Sequence, residues 1–113
     1  MKNLEQERAK NALEAANNQE YKFAGASGGD IVKKVPTMIM DNGILAAMAF
    51  AVEDRNKSGY EDVFKASIRH LGVNSSVKEF LHKLTMKDSS ELRAVTSEIM
   101  AYLNYLRRFA KAK

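Results

Sequence analysis

The residues that could carry out chemistry are few in this chain of 113 residues, and they are widely spaced. There is no cysteine, which excludes a disulfide framework, a thiolate metal site and a thiol nucleophile. The two histidines, His70 and His82, fall on different predicted helices. A metal site made from both histidines and a carboxylate is conceivable, but their spacing favours ordinary surface histidines. We therefore predict that the protein holds no metal and no other cofactor.

Acidic residues stand side by side at Glu53–Asp54 and at Glu61–Asp62. Adjacent residues on a helix point about 100° apart, so neither pair makes a two-carboxylate catalytic site, and both are interpreted as solvated helix ends. The segment Ala24–Gly29 is rich in glycine, but no Gly-Lys-Ser/Thr follows it, so it is interpreted as an interhelical loop and not a phosphate-binding loop. The sequence thus predicts a protein that is not an enzyme.

The basic residues are more informative because the net charge of +4 is unevenly distributed. Residues 1–30 sum to −1, residues 31–57 to +1, and residues 58–87 and 88–113 to +2 each. Lysines and arginines recur as neighbours or one helical turn apart, and no acid follows Glu98. Several cationic faces on a small body suit a phosphate backbone, with an ordinary solvated surface as the alternative.

Sequence-specific DNA recognition finds little support in the chain. A tight turn at 71–74 could join two helices of a helix-turn-helix. The helix that follows, Val77–Leu84, offers no set of Asn, Gln or Arg side chains to read base edges. If nucleic acid binds, we expect contact with its backbone and little sequence preference.

Helix-start and helix-stop patterns divide the chain into about six helices. Asn3 with Gln6, Ser58 with Glu61, Ser76 with Glu79, and Asp88 with Glu91 have the spacing of capping boxes. Asn42–Gly43 and Gly72 are typical helix ends. Pro36 lies within an apolar helical pattern and predicts a kink or a helix that restarts there.

One segment, 44–52, is apolar on every side and is predicted to be the central helix of the core. The last helix carries apolar residues at helical spacing from Leu92 to Phe109, and the methionines are expected to fill gaps in the core. No stretch alternates as a strand would. The predicted fold is all-α, a single domain over residues 1–113 with about six helices around the central apolar helix.

The chain shows no sign of membrane insertion or export. Its first ten residues are charged and lack an apolar signal core, and its longest apolar run, Ile44–Val52, is far shorter than the roughly 20 residues that span a bilayer. We expect a cytoplasmic protein without a membrane partner.

Three stretches, taken in order, resemble a known family. They are Leu4–Lys10, Lys33–Gly43 with its continuation to Phe50, and Ala101–Ala110. Together they resemble the small α-helical subunit of the Cmr complex, the type III-B CRISPR effector. The resemblance implies an all-α protein without catalytic residues. It also implies that copies stack head to tail beside the backbone subunit and other Cmr subunits, along the groove where CRISPR RNA and target RNA pair.

The resemblance and the charge pattern together predict an RNA-facing surface that contacts the backbone of both RNAs. Its candidate residues are Arg8, Lys33, Lys34, Lys65, Arg69, Lys78, Lys83, Arg107 and Arg108. Two alternatives stay open. One is a stand-alone adaptor that binds a partner helix through the methionine-bearing face, and the other is a small DNA-associated regulator that acts as a two-fold dimer.

Overall fold

The computed structural model describes residues 3–21, 30–53 and 58–111, and this part of the chain is built from six α-helices without a strand. The helices are α1 (Leu4–Asn17), α2 (Asp30–Asn42), α3 (Ile44–Glu53), α4 (Ser58–His70), α5 (Val77–Leu84) and α6 (Ser89–Lys111). The predicted all-α class and the number of helices are confirmed. The predicted loop at Ala24–Gly29 lies outside the described residues.

Side-chain caps set the beginnings of three helices. The Asn3 side chain accepts the Gln6 backbone N–H at 2.8 Å, and the Gln6 side chain accepts the Asn3 N–H at 2.9 Å, which completes the predicted capping box of α1. Ser76 Oγ accepts the Glu79 N–H at 3.1 Å at the start of α5. Asp88 caps α6 in the same way at 2.8 Å. Each cap satisfies a backbone donor that the first turn of a helix leaves unpaired.

Gly43 both ends α2 and begins α3. Its N–H donates to the Ile39 carbonyl at 2.8 Å, and its own carbonyl accepts the Ala47 N–H at 3.1 Å. Its φ of +89° lies in the left-handed region that glycine adopts at little cost. The predicted helix end at Asn42–Gly43 is confirmed, and the connection is one residue long.

Of the two outcomes predicted at Pro36, a kink or a restart, the restart is wrong, because α2 runs without interruption from Asp30 to Asn42. Pro36 cannot donate to the carbonyl of Val32, and a proline inside a helix costs about 3 kcal/mol. Val32, Val35 and Ile39 lie on one face and are all buried in the core. Burial of each such side chain contributes about 1.5–3 kcal/mol, so together they outweigh the proline.

α4 ends in a Schellman motif at Gly72. The Val73 N–H donates to the Ile68 carbonyl at 3.2 Å, the Gly72 N–H donates to the Arg69 carbonyl at 3.0 Å, and Gly72 has a φ of +81°. The motif stops the helix directly after His70, so the His70 side chain stands on the last turn of α4.

α4 lies at the centre of the bundle and contacts all five other helices. Its Phe64 and Ile68 are fully buried. α3 packs mainly on α2, α4 and α5, and it buries Met48 while leaving Ala46 and Ala49 exposed. The predicted central helix 44–52 therefore belongs to the core through one face, although its sequence is apolar all round.

Two expectations about individual residues are wrong. Met48 fills the core as predicted, but Met40 and Met86 are 75% and 74% exposed because they lie at the end of α2 and just beyond α5. Asp62, expected at a solvated helix end, is buried on α4 with its carboxylate 3.8 Å from Lys65 Nζ. None of the helices in the described residues is both long and apolar enough to cross a membrane.

Replacing Gly43 by alanine tests the one-residue connection. Nothing lies within 4 Å of an added Cβ, so the expected loss of about 1–2 kcal/mol in the free energy of unfolding comes from the left-handed backbone alone. Gly43→Asn should lose less, since asparagine tolerates this conformation. Chemical denaturation of both variants measures the difference, and an alanine variant as stable as the parent would contradict it.

Candidate nucleic-acid interface

An ion pair between Arg8 and Glu98 joins the first helix to the last. Arg8 Nε lies 2.8 Å from Glu98 Oε2, and the second guanidinium nitrogen lies 2.6 Å from Oε1, so the contact is bidentate. One helical turn away, the Tyr105 hydroxyl donates to Glu5 at 3.0 Å. The pairing of residues 5 with 105 and 8 with 98 shows that α1 and α6 run antiparallel.

His70 extends this contact to α4. Its Nε2 lies 2.8 Å from Glu98 Oε2, and its Nδ1 lies 2.8 Å from the amide nitrogen of Asn11. Because an amide NH₂ can only donate, Nδ1 is the acceptor and the proton lies on Nε2, from which it is donated to Glu98. A neutral imidazole thus satisfies both neighbours. We call Arg8, Asn11, His70 and Glu98 the polar network.

The polar network is shielded from water on the side of α4. The His70 side chain is only 4% exposed, and its ring stacks on Tyr102 with centroids 4.4 Å apart. The expectation that His70 is an ordinary surface histidine is therefore wrong. It failed because the contacts of His70 lie 59 and 28 residues away along the chain.

The network also lowers the pKa of Glu98. The hydrogen bond from Arg8, together with that from His70, lowers the pKa of Glu98 to about 2, against the opposing effect of burial. Burial raises the pKa of the Tyr102 hydroxyl. Glu98 is therefore a carboxylate at any physiological pH, and it holds α1 and α4 against α6.

Sequence reasoning found Arg8 but missed its partners. Arg8 and Asn11 are three residues apart, so they share a helix face, and Glu98 is the last acid of the chain. These signals suggest polar contacts without saying which helices meet. In the structure the guanidinium of Arg8, predicted to face RNA, is engaged by Glu98.

The other eight candidate cations are exposed, and they lie as pairs on four helices. The pairs are Lys33 and Lys34 on α2, Lys65 and Arg69 on α4, Lys78 and Lys83 on α5, and Arg107 and Arg108 on α6. Among the described residues, no ion pair engages these cations apart from the 3.8 Å approach of Lys65 to Asp62. The charges of the other seven therefore remain available to a polyanion.

Lys65 and Arg69, four residues apart on α4, lie beside the loop that follows the helix. Both line a cleft of about 490 Å³ between the end of α4 and the loop that leads to α5, and Asn74 and Ser75 of that loop also line it. We call this the α4–α5 cleft. Two cations one helical turn apart, in a cleft that an amide and a hydroxyl also line, form a surface on which a phosphate can be held.

No group of three or more potential metal ligands occurs among the described residues.

Replacing Glu98 by glutamine tests the charge at the centre of the polar network. A carboxylate whose pKa falls from 4.5 to about 2 on folding adds stability above pH 4.5, and this contribution is lost as the pH falls toward 2. We therefore expect Glu98→Gln to lower stability at pH 7 and to flatten its decline between pH 4.5 and 2.

Chemical denaturation at several pH values measures both effects. Glu98→Ala, which leaves the buried His70 donor unpaired, should cost about 1–3 kcal/mol at pH 7. Glu7→Gln on the exposed side of α1 is the matched control. Parallel pH profiles for the parent and Glu98→Gln would contradict the role assigned to Glu98.

Comparisons with known proteins agree with the fold. A family model described as CRISPR-associated protein (Cas_Cmr5) matches residues 4–113. The fold is similar to the crystal structure of a CRISPR-associated Cmr5 family protein from Thermus thermophilus, with a TM-score of 0.79 and 20% sequence identity. That match covers 98% of this chain and 97% of the other. No curated protein matches the chain.

The solved structure, at this identity, bears on the fold alone, and it has the same all-α architecture over almost the entire length. The family model carries the assignment, because it extends over all six helices. This chain therefore belongs to the Cas_Cmr5 family of CRISPR-associated proteins, the family of a small subunit of the Cmr complex.

Proposed function

We propose that this protein is a non-catalytic small subunit that braces a type III-B effector complex in the cytoplasm and contacts the backbone of its guide and target RNA. The observation that carries the proposal is the family match over residues 4–113. The exposed cation pairs on α2, α4, α5 and α6 support the contact with RNA, since phosphates bind arginine and lysine side chains that are exposed at the surface.

A structural role is favoured because His70 and Glu98, two groups of a type that can act as acid or base, are engaged in contacts between helices. Both ring nitrogens of His70 are engaged, and Glu98 is held as a carboxylate by Arg8. A general acid or base needs a titrating group that can reach a substrate, and here these side chains hold helices together instead.

Protein neighbours would cover the exposed apolar side chains. Met40 and Met86 are large, flexible and mostly exposed, which suits contact with another subunit. We propose that the neighbours are the backbone subunit, other Cmr subunits and further copies of this chain stacked head to tail.

Paired charge removal in the assembled complex tests the RNA contact. Lys65→Ala with Arg69→Ala, and Arg107→Ala with Arg108→Ala, each remove two candidate cations. If about four phosphates are contacted, the logarithm of RNA affinity should fall with the logarithm of salt at a slope near −3, and each lost contact should reduce that slope by about 0.7.

The matched control is Lys10→Ala with Arg93→Ala, which removes the same charge from exposed positions outside the candidate set. Co-purification shows that every variant still joins the complex. Equal salt slopes in the candidate and control variants would contradict RNA contact by these residues, while failure of the unaltered chain to assemble with Cmr subunits would contradict the proposed role as a whole.

A further inference from the structure

A second cleft adjoins the α4–α5 cleft and differs from it in chemistry. It has a volume of about 350 Å³ and lies between α1, α4 and α6, so we call it the α1–α4 cleft. Arg69 lines both clefts. This arginine therefore lies between the α4–α5 cleft and the α1–α4 cleft.

The α1–α4 cleft exists because small residues meet where the two helices cross. Ala15 of α1 and Ala66 of α4 are almost completely buried in its lining. Around them lie the half-buried Tyr21 and the stacked pair of His70 and Tyr102, whose rings are almost completely buried and offer no free face on which a base could stack. A space of this size, lined by the accessible Tyr21 side chain and the Arg69 guanidinium, accommodates a planar ring system.

The polar groups of the cleft include both donors and acceptors. Asn11 uses its amide nitrogen on His70, which leaves its carbonyl oxygen as an acceptor. Asn18 accepts the Glu20 N–H at 2.9 Å through its carbonyl oxygen, which leaves its NH₂ group as a donor. Glu14 adds an exposed carboxylate.

This mixture suits a nucleobase and does not suit a phosphate. A carboxylate and a carbonyl oxygen repel an anion, whereas a base edge presents N–H donors to them and acceptors to the amide. The neighbouring α4–α5 cleft, with Lys65 and Arg69, has the opposite preference.

We propose that one unpaired RNA nucleotide binds across Arg69, with its base in the α1–α4 cleft and its phosphate in the α4–α5 cleft. This inference rests on the proposed function in that RNA is the ligand. It adds the recognition of a single base, which contact with the backbone alone does not provide.

Titration of the isolated full-length chain with a single-stranded hexaribonucleotide, followed by NMR, tests the site directly. The amides of Asn11, Glu14 and Asn18 should shift together with that of Arg69. An abasic hexamer with the same phosphates should shift the Lys65 and Ser75 amides and leave the α1 residues unmoved. Absence of α1 shifts at millimolar ordinary RNA overturns the nucleotide site.

Replacing Glu14 by alanine distinguishes base recognition from electrostatic repulsion, because the two predict opposite changes in the affinity for RNA. If only phosphates bind, Glu14→Ala removes repulsion and tightens binding of both oligonucleotides. If the base binds, Glu14→Ala weakens binding of ordinary RNA by about tenfold, which corresponds to one charge-assisted hydrogen bond. Binding of the abasic hexamer should then be unchanged or tighter.

Glu7→Ala is the matched control, since Glu7 is an exposed acid on the same helix and outside the cleft. Tighter binding of ordinary RNA by Glu14→Ala overturns the base site while leaving RNA contact intact. If ordinary RNA shifts neither the α1 residues nor the exposed cation pairs, direct RNA contact and the base site both fail.

Discussion

The carboxylate of Glu98 is the point on which the position of α1 depends. α1 buries only Ala12, Ala15 and Ala16, and alanine contributes little apolar area. A helix with so narrow an apolar stripe is poorly oriented by hydrophobic packing alone. The bidentate contact from Arg8, and the path through His70 to Asn11, supply directional contacts that set its rotation and its distance from α4.

The position of α1 and the end of α4 together shape the two clefts. Because α1 is held against α6 and crosses α4 at small side chains, a cleft remains between α1 and α4 beside His70 and Tyr102. The Schellman motif at Gly72 ends α4 immediately afterwards and turns the chain into the wall of the second cleft. Arg69 stands between the two clefts because it occupies the last turn of α4.

The same arrangement divides the charged residues into two groups. Arg8 and Glu98 neutralise each other where α1 meets α6, with the neutral His70 donating to the same carboxylate, whereas the cation pairs on α2, α4, α5 and α6 stay exposed. Internal ionic contacts of this kind hold a small helical body together while its net positive charge remains on the surface. A subunit of the Cas_Cmr5 family, which we propose to work by contact with RNA and neighbouring proteins, gains from that division.

The helices could be predicted from local sequence, because caps, glycine ends and apolar spacing act within a few residues. The capping box at Asn3 and the turn at Gly43 are features of this kind, and both were predictable. The candidate cations were predictable as charges, since exposed lysine and arginine need no distant partner. The continuity of α2 through Pro36 was not, because it depends on burial of Val32, Val35 and Ile39 against other helices.

The pairing of residues across long separations, in contrast, came from tertiary packing. Packing joined Arg8 to Glu98, placed His70 between Asn11 and Glu98, and made α4 the centre of the bundle in place of the more apolar α3. It also enclosed two clefts of different chemistry around Arg69. Such pairings depend on how helices cross, and helix crossing is set by the packing of whole faces, which no short stretch of sequence contains.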